Sequence, residues 1–192
     1  MTTREVITIP PTSEPISLDQ AKSHAKIETN EDDELIITLI EAVRTWAEDT
    51  LNRALISQTW TYIIEDFADK IPLPRGPAIS ITQIDYIDTD GNSQTLSSSI
   101  YEADVNGIDG FVRRSFNQVW PSTRDVYNAI TITYVVGFGS TSIAIPKPII
   151  QGMLVMIADL YEHRETYVQG MTIVAVPFAE MLMAPHRVPS FG

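Results

Sequence analysis

Two glycines, Gly137 and Gly139, separate a β-branched stretch from a long apolar run, and this order is typical of a phosphate-binding loop. A dinucleotide-binding loop also needs a third glycine at position 142 and a helix that begins at once. Position 142 is Ser142, and the next helix is predicted to begin only near Pro148. We therefore predict that the two glycines form the exit from a strand and bind no nucleotide.

The segment DTDGN, residues 88–92, resembles part of a calcium-binding loop. Such a loop requires glycine at its sixth position, where this sequence has Ser93. Asp90-Gly91 is instead a strong signal for a two-residue hairpin turn. The segment is therefore predicted to connect two strands and to hold no metal ion.

Histidines and acids are the remaining groups with catalytic chemistry. His24, His163 and His186 lie on three separate predicted elements, and the sequence contains no cysteine. Glu162 and Glu165 lie at helical spacing and are candidates for a general acid and base, but a helix end in water does nothing to raise the pKa of a carboxyl group. We predict no catalytic residue, no cofactor and no metal site. An enzyme with an unrecognised site is the least favoured alternative.

The formal net charge is −12, from 25 acidic and 13 basic residues. Affinity for nucleic acids depends mainly on basic side chains that displace counterions, so this charge opposes specific binding to DNA or RNA. Arg113-Arg114 is the only adjacent basic pair. The longest apolar run, residues 149–161, falls short of the roughly 20 residues that a membrane span requires. We expect a protein that does not bind membranes.

The first half of the chain predicts an extended arm and two helices. Prolines at positions 10, 11 and 15 indicate that residues 1–16 form no regular structure. Ser17 and Gln20 have the spacing of a capping box at the start of a short helix. A long helix follows, with Thr29 or Asn30 as its cap, and residues 31–34, which are all acidic, complement its dipole. Its apolar positions recur every three or four residues, and Ile37 lies off this stripe.

Between residues 57 and 139 the apolar period changes to two, which predicts four to six antiparallel strands. The run AISITQIDYID switches parity between Ile81 and Ile84, so a β-bulge is predicted near Thr82 or Gln83. IPLPRGP, residues 71–77, is interpreted as a connection. The last helix is predicted from Pro148 to about Glu165, and a close approach of another backbone would explain its Gly152.

These elements define an α+β fold, in which two long helices and a short N-terminal helix form a core and an antiparallel β-rich segment lies between the long helices. The predicted divisions are an arm over residues 1–16, a helical core over residues 17–56 and 146–168, a β-rich insertion over residues 57–145, and a C-terminal tail over residues 169–192. The tail is apolar, which is unusual for a free terminus, so we expect it to cover a partner surface in its own subunit or in another.

Several stretches, taken in order, resemble the head-to-tail connector family of tailed bacteriophages, prophages and gene transfer agents. They begin with SEPISLDQAKSHAKI and EDDELIITLIEAVRTWAEDTLNRALISQTW and continue with IPLPRGPAISITQIDYIDTDG, VWPSTRDVYNAITITYVVGFG, IPKPIIQGMLVMIADLYEHRE and MLMAPHRV. The resemblance covers nearly the whole chain. Five residues match family positions whose role is either functional or structural: Trp60, Arg75, Trp120, Pro121 and Arg124.

The resemblance implies a structural virion protein that forms a ring, usually of twelve copies, beneath the portal. Such an adaptor bridges the portal and the next neck protein, and DNA passes through it without specific binding. It would act at the head–tail junction of the virion and assemble in the cytoplasm of the bacterial host. A terminal segment of relatives reaches the portal. The partner-binding residues implied here are Val176, Phe178, Met181, Leu182, Met183 and Arg187.

The main alternative is a different neck or tail-completion component, similar to a stopper protein. Such a component would bind tail-side proteins instead of the portal. The two hypotheses differ in their binding target, which is the portal for an adaptor and the tail-side proteins for a stopper-like component. Under the adaptor hypothesis, removal of residues 171–192 is expected to leave the fold intact and to abolish attachment to the portal.

Overall fold

The computed structural model describes residues 3–105, 107, 110–163 and 175–188. These residues form helices and antiparallel sheets, which confirms the predicted α+β class. The chain divides into two compact units. One comprises Met1–Thr12 with Ser57–Gly137, and the other comprises Ser13–Ile56 with Phe138–Gly192.

The strands of the described residues lie in the first unit. They are β1 (Arg4–Ile9), β2 (Gln58–Ile64), β3 (Lys70–Leu73), β4 (Ala78–Ile87), β5 (Ser93–Thr95), β6 (Tyr101–Asp104), β7 (Gly110–Arg114) and β8 (Ile130–Val136). Five of them form one sheet in the order β1-β2-β8-β4-β5, and three form a second sheet in the order β3-β7-β6. The pairings are antiparallel throughout both sheets.

Strands β2 and β8 lie next to each other in the middle of the large sheet, and each alternates buried with half-buried residues. The alternation follows from the two-residue period of a strand, which puts every second side chain on one face. Tyr134 of β8 is fully buried, and its hydroxyl donates to the carbonyl oxygen of Pro74 at 3.1 Å. This bond satisfies the polar end of a side chain that otherwise packs in the core.

The predicted bulge in β4 is confirmed, because the register against β8 shifts between Ile81 and Gln83. A further shift, not predicted, lies between Ala78 and Ser80. The hairpin at Asp90-Gly91 is also confirmed, since β4 and β5 pair from Ile87 and Ser93 onward. The predicted two-residue turn is wrong, because the connection is residues 88–92.

Two strands contradict the predictions for their segments. Residues 4–9, predicted to lack regular structure, form β1, because Pro10 and Pro11 come after the strand and remove no N–H from it. Residues 71–73, interpreted as part of a connection, belong to β3, although Pro72 lies within the strand. The strand is at the edge of the three-stranded sheet, where a proline is tolerated.

The second unit is helical. Its helices are α1 (Leu18–Ala25), α2 (Asp33–Leu51), α3 (Lys147–Glu162) and α4 (Ala175–Met183), with short 3-10 turns at Ser142–Ala144 and Ala184–His186. One apolar cluster joins α1, α2, α3 and α4, and Ile36, Ala47, Ile149 and Met153 are among its fully buried members. The buried residues of α2 recur at the predicted helical spacing.

The helix ends match the predictions in part. Ser17 and Gln20 form the predicted capping box at the start of α1. The predicted cap of α2 is wrong: its N-cap is Asp32, whose side chain makes no cap hydrogen bond. Asn30 accepts a hydrogen bond from Lys22 Nζ at 2.6 Å instead. Helix α3 ends at Glu162, three residues before the predicted end.

A buried carboxylate holds the chain after α2. Glu48 is 7% exposed, and its Oε1 accepts from the backbone N–H of Leu55 at 2.8 Å. Its Oε2 accepts from Arg44, which also donates to Glu14 at 2.8 Å. Burial of a charge costs free energy unless the charge is paired and hydrogen-bonded, and this carboxylate is both.

Candidate partner-binding surface

The glycines that first suggested a nucleotide site follow β8 directly. Gly137 and Gly139 have φ angles of 124° and 143°, a region that side chains with a Cβ rarely adopt. The Gly137 N–H donates to the carbonyl oxygen of Pro77 at 2.9 Å, so it is used within the fold. A 3-10 turn lies between Gly139 and α3, which separates the glycines from the helix N-terminus. The arrangement fits a strand exit.

The titratable groups that the sequence singled out lie apart. His24 is on α1, His163 follows α3, and His186 is in the last 3-10 turn. The exposed His163 has its Nδ1 3.3 Å from a carboxylate oxygen of the half-buried Asp159. Glu162 is exposed and Glu165 lies outside the described residues. Within the described part of the chain, no three acidic or histidine side chains are arranged to hold a metal ion.

Helix α4 presents apolar side chains on two faces. Ala179 and Met183, four residues apart, are both fully buried in the helical core. They pack against Gly152 of α3, where an added Cβ would lie 3.2 Å from the Ala179 carbonyl oxygen and 3.0 Å from Met183 Cγ. The close backbone approach predicted at Gly152 is therefore confirmed. On the other face, Phe178 is 45% exposed and Met181 is 63% exposed.

The end of the described chain is also attached to the core. Val188 is 8% exposed, and its N–H donates to the carbonyl oxygen of Leu51 at 2.9 Å. The expectation that residues 171–192 can be removed without harm to the fold is therefore wrong. Their removal would take Ala179, Met183 and Val188 out of a packed core, and cavities of this kind destabilise a fold.

The six predicted partner-binding residues are thus divided by their surroundings. Phe178, Met181 and Arg187 are exposed, and Leu182 is half-buried. Met183 is fully buried against its own chain. Val176 belongs to α4, but its side chain is outside what the structure describes. The exposed set of Phe178, Met181 and Arg187 is the candidate surface for a partner, and we call it the α4 outer face.

A second exposed apolar surface lies just after β7. Arg113, Arg114, Phe116 and Val119 line a shallow groove together with Glu102. Phe116 is 86% exposed and Val119 is 74% exposed, so most of their apolar area faces solvent. Sequence reasoning noted the arginine pair but missed the groove. The apolar side chains at positions 116 and 119 were the available signal.

Comparison with known proteins bears on what these surfaces do. Residues 15–107 match the family model of phage gp6-like head-tail connector proteins. The predicted resemblance to the head-to-tail connector family is confirmed. Proteins of this family are structural, and the prediction that the chain is not an enzyme is confirmed with it.

Solved structures extend the likeness to the full length of the chain. A chain in the neck of an empty gene transfer agent particle, computed with C6 symmetry, has a TM-score of 0.77 at 20% identity. A chain of the native gene transfer agent virion has a TM-score of 0.74 at 18% identity. A chain in the native neck, computed with C12 symmetry, has a TM-score of 0.70 at 19% identity. Each comparison covers 100% of this chain and 98% of the other, which shows a shared fold.

No curated protein matches the sequence. None of the helices in the described ranges is long and apolar enough to cross a membrane.

Most of the residues that matched connector positions hold the β-rich unit together. Arg75 forms an ion pair with Glu5 at 3.2 Å, and its guanidinium lies 5.0 Å from the ring centre of Trp60. Trp120 stacks on Phe67 and donates from Nε1 to the carbonyl oxygen of Ala68 at 3.2 Å. These contacts give Trp60, Arg75 and Trp120 structural roles.

Two further positions of that set lie in the same loop as Trp120. The Arg124 N–H donates to the carbonyl oxygen of Ile87 at 3.0 Å, next to the hairpin of β4 and β5. Pro121 is half-buried directly after Trp120. Residues 120–124 thus attach the loop to the large sheet, and the backbone bond of Arg124 serves this purpose.

Proposed function

We infer that this chain is a head–tail adaptor, twelve copies of which form a ring beneath the portal and bridge it to the next neck protein. The observation that carries the inference is the match of fold over the full length to chains from gene transfer agent particles, including two from necks. Those necks were computed with C6 and C12 symmetry, which is consistent with ring assemblies. A cyclic ring requires heterologous contacts that close upon themselves.

The connector family also implies how the subunit is built and where in the virion it acts. A helical core carries the β-rich segment as an insertion between α2 and α3. The adaptor lies at the head–tail junction of the virion and assembles in the cytoplasm of the bacterial host. DNA passes through the ring as cargo, and a net charge of −12 favours passage over retention, because like charges repel.

The α4 outer face is the surface that we assign to the portal. Helix α4 is held in place by Ala179 and Met183 on its buried face. Phe178 and Met181 are thereby kept exposed on a helix with a fixed position, so they can bind a partner with little loss of conformational freedom. Aromatic residues and methionine are enriched at protein interfaces, which supports this assignment.

Sedimentation of the purified protein with the portal encoded by the same genome, followed by negative-stain imaging, tests the adaptor role. We expect the portal to gain a ring of density at its outer end. A portal that stays bare, together with binding to tail-side proteins, would replace the adaptor with a stopper-like neck component.

Point variants test the α4 outer face more directly than a deletion of residues 171–192, because the deletion also removes buried residues. Phe178→Ser and Met181→Ser should keep the thermal stability of the protein and greatly reduce its recovery with the portal. Ile143→Ser is the matched control, because Ile143 is an apolar residue of the same unit that is 82% exposed. Normal recovery of both α4 variants with the portal would exclude the α4 outer face.

A further inference from the structure

The groove after β7 combines positive charge with exposed apolar area. Arg113 and Arg114 at the end of the strand are both exposed, and Arg113 donates to Glu102 at 2.8 Å. Within the described residues, Arg114 forms no ion pair. Phe116 and Val119 continue the groove beyond the arginines. We call these residues the basic groove.

Exposed apolar side chains of this size favour burial by a partner. Phe116 and Val119 together would remove substantial apolar area from water, and such burial is the dominant favourable contribution to most protein association. The groove also contains the only adjacent basic pair in a chain whose net charge is −12. Two copies of so acidic a chain repel each other at most relative orientations, and the repulsion is weakest where this pair meets acidic residues.

Helix α2 carries a surface with the complementary composition. Glu34, Ile37 and Glu41 are all exposed, and their spacings of three and four residues place them on one face of the helix. Ile37 is 44% exposed, whereas its neighbours Ile36 and Ile40 belong to the core. An apolar side chain between two carboxylates thus projects from a rigid helix. We call it the α2 acidic face.

We propose that the basic groove of one copy receives the α2 acidic face of the next copy in the ring. Ile37 packs on Phe116 and Val119, while Glu34 and Glu41 lie against Arg113 and Arg114. The contact joins different surfaces of the two copies, so it is heterologous, as a closed ring requires. This proposal rests on the proposed ring and names the contact between its subunits.

The absence of cysteine from the sequence makes a direct test possible. Two single-cysteine proteins, Phe116→Cys and Ile37→Cys, are mixed and crosslinked with a short bismaleimide, both free at high concentration and after sedimentation with the portal. We expect a band of twice the monomer mass from the mixture and not from either protein alone. Because the two cysteines are on separate chains, the band reports contact between copies.

Ile143→Cys replaces Ile37→Cys in the control mixture, since Ile143 is exposed in the same unit but lies outside α2. A crosslinked band of equal yield in the control, or no band in the test mixture while rings are visible on the portal, would overturn the proposed contact and leave the adaptor role standing. A bare portal together with a specific crosslink between free copies would support the contact and refute the adaptor role. A bare portal and no specific crosslink would overturn both.

Charge reversal provides a second readout that does not depend on the cysteines. Arg114→Glu places like charges in the contact, and we expect it to lower the yield of rings at least about tenfold. The double variant Arg114→Glu with Glu34→Arg restores opposite charges at every contact of the ring, so the yield should recover. An Arg114→Glu protein that forms rings normally would contradict the proposal.

Discussion

At the scale of single residues, Asp88 organises the turn between β4 and β5. Its carboxylate accepts hydrogen bonds from the backbone N–H groups of Asp90 and Asn92 at 3.0 and 2.8 Å. The side-chain amide of Gln94 donates to the other oxygen at 2.9 Å. Donors around a carboxylate stabilise its charged form. The side chain of Gln94 and the backbone of Asn92 therefore lower the pKa of Asp88 below its ordinary value.

The lowered pKa predicts how the turn responds to acid. The folded pKa of Asp88 lies below the unfolded one, so the carboxylate stabilises the fold above the unfolded value and stops doing so as the pH falls through the folded pKa. Gln94→Ala should raise the pKa of Asp88, as measured by NMR titration of its carboxyl carbon. Thr95→Ala is the control, since Thr95 donates to Asp85 instead. An unchanged Asp88 pKa in Gln94→Ala would show that this hydrogen bond does not form in solution.

Gly152 illustrates why a residue can be unfavourable locally and required globally. Glycine inside a helix costs up to about 1 kcal/mol relative to alanine. A Cβ at this position would lie 3.2 Å from the Ala179 carbonyl oxygen. Helices α3 and α4 can therefore approach this closely only because residue 152 has no Cβ. The local cost at Gly152 is offset by the packing of α4 against α3.

At the scale of elements, α4 has one face in the core and one exposed face, and we propose that the exposed face binds a partner. Its buried face contributes Ala179 and Met183 to the core, and its outer face exposes Phe178 and Met181. Two methionines on one short helix, Met181 and Met183, are therefore expected to have different roles, although they lie only two residues apart.

Met183→Ala should lower the free energy of unfolding by about 2 to 5 kcal/mol, because it leaves a cavity in the core. Met181→Ala should change it by less than about 0.5 kcal/mol, because the side chain is mostly exposed. Urea denaturation of the two variants measures both values. Equal losses would mean that α4 is not docked as described.

At the scale of the whole molecule, the net charge of −12 limits what the protein can bind. Proteins that bind DNA without specificity typically have dissociation constants of about 10⁻⁴ to 10⁻⁶ M at physiological salt. We expect weaker binding here, with no retardation of duplex DNA in a gel at about 10 µM protein. A basic protein of similar mass is the positive control. Retardation that weakens as salt is added would show that a local basic surface, such as Arg113-Arg114, holds DNA.

The sequence by itself determined the type of the long periodic segments, whereas the strands β1 and β3 were not predicted from it. The alternation in residues 130–136 and the helical stripe in residues 35–51 follow from the periods of the backbone, which depend only on neighbouring residues. The bulge between Ile81 and Gln83 was predictable for the same reason, because a parity switch is visible in the sequence. The capping box of Ser17 and Gln20 is likewise local.

Only the tertiary structure decided which apolar side chains are covered and by what. Phe178, Ala179, Met181 and Met183 are all apolar, and nothing in their spacing shows that the second and fourth are buried while the others are exposed. Strand β3 formed despite Pro72 because β7 supplied a partner at the edge of a sheet. Burial is non-directional and depends on area, so local sequence does not specify the surface that a segment will meet.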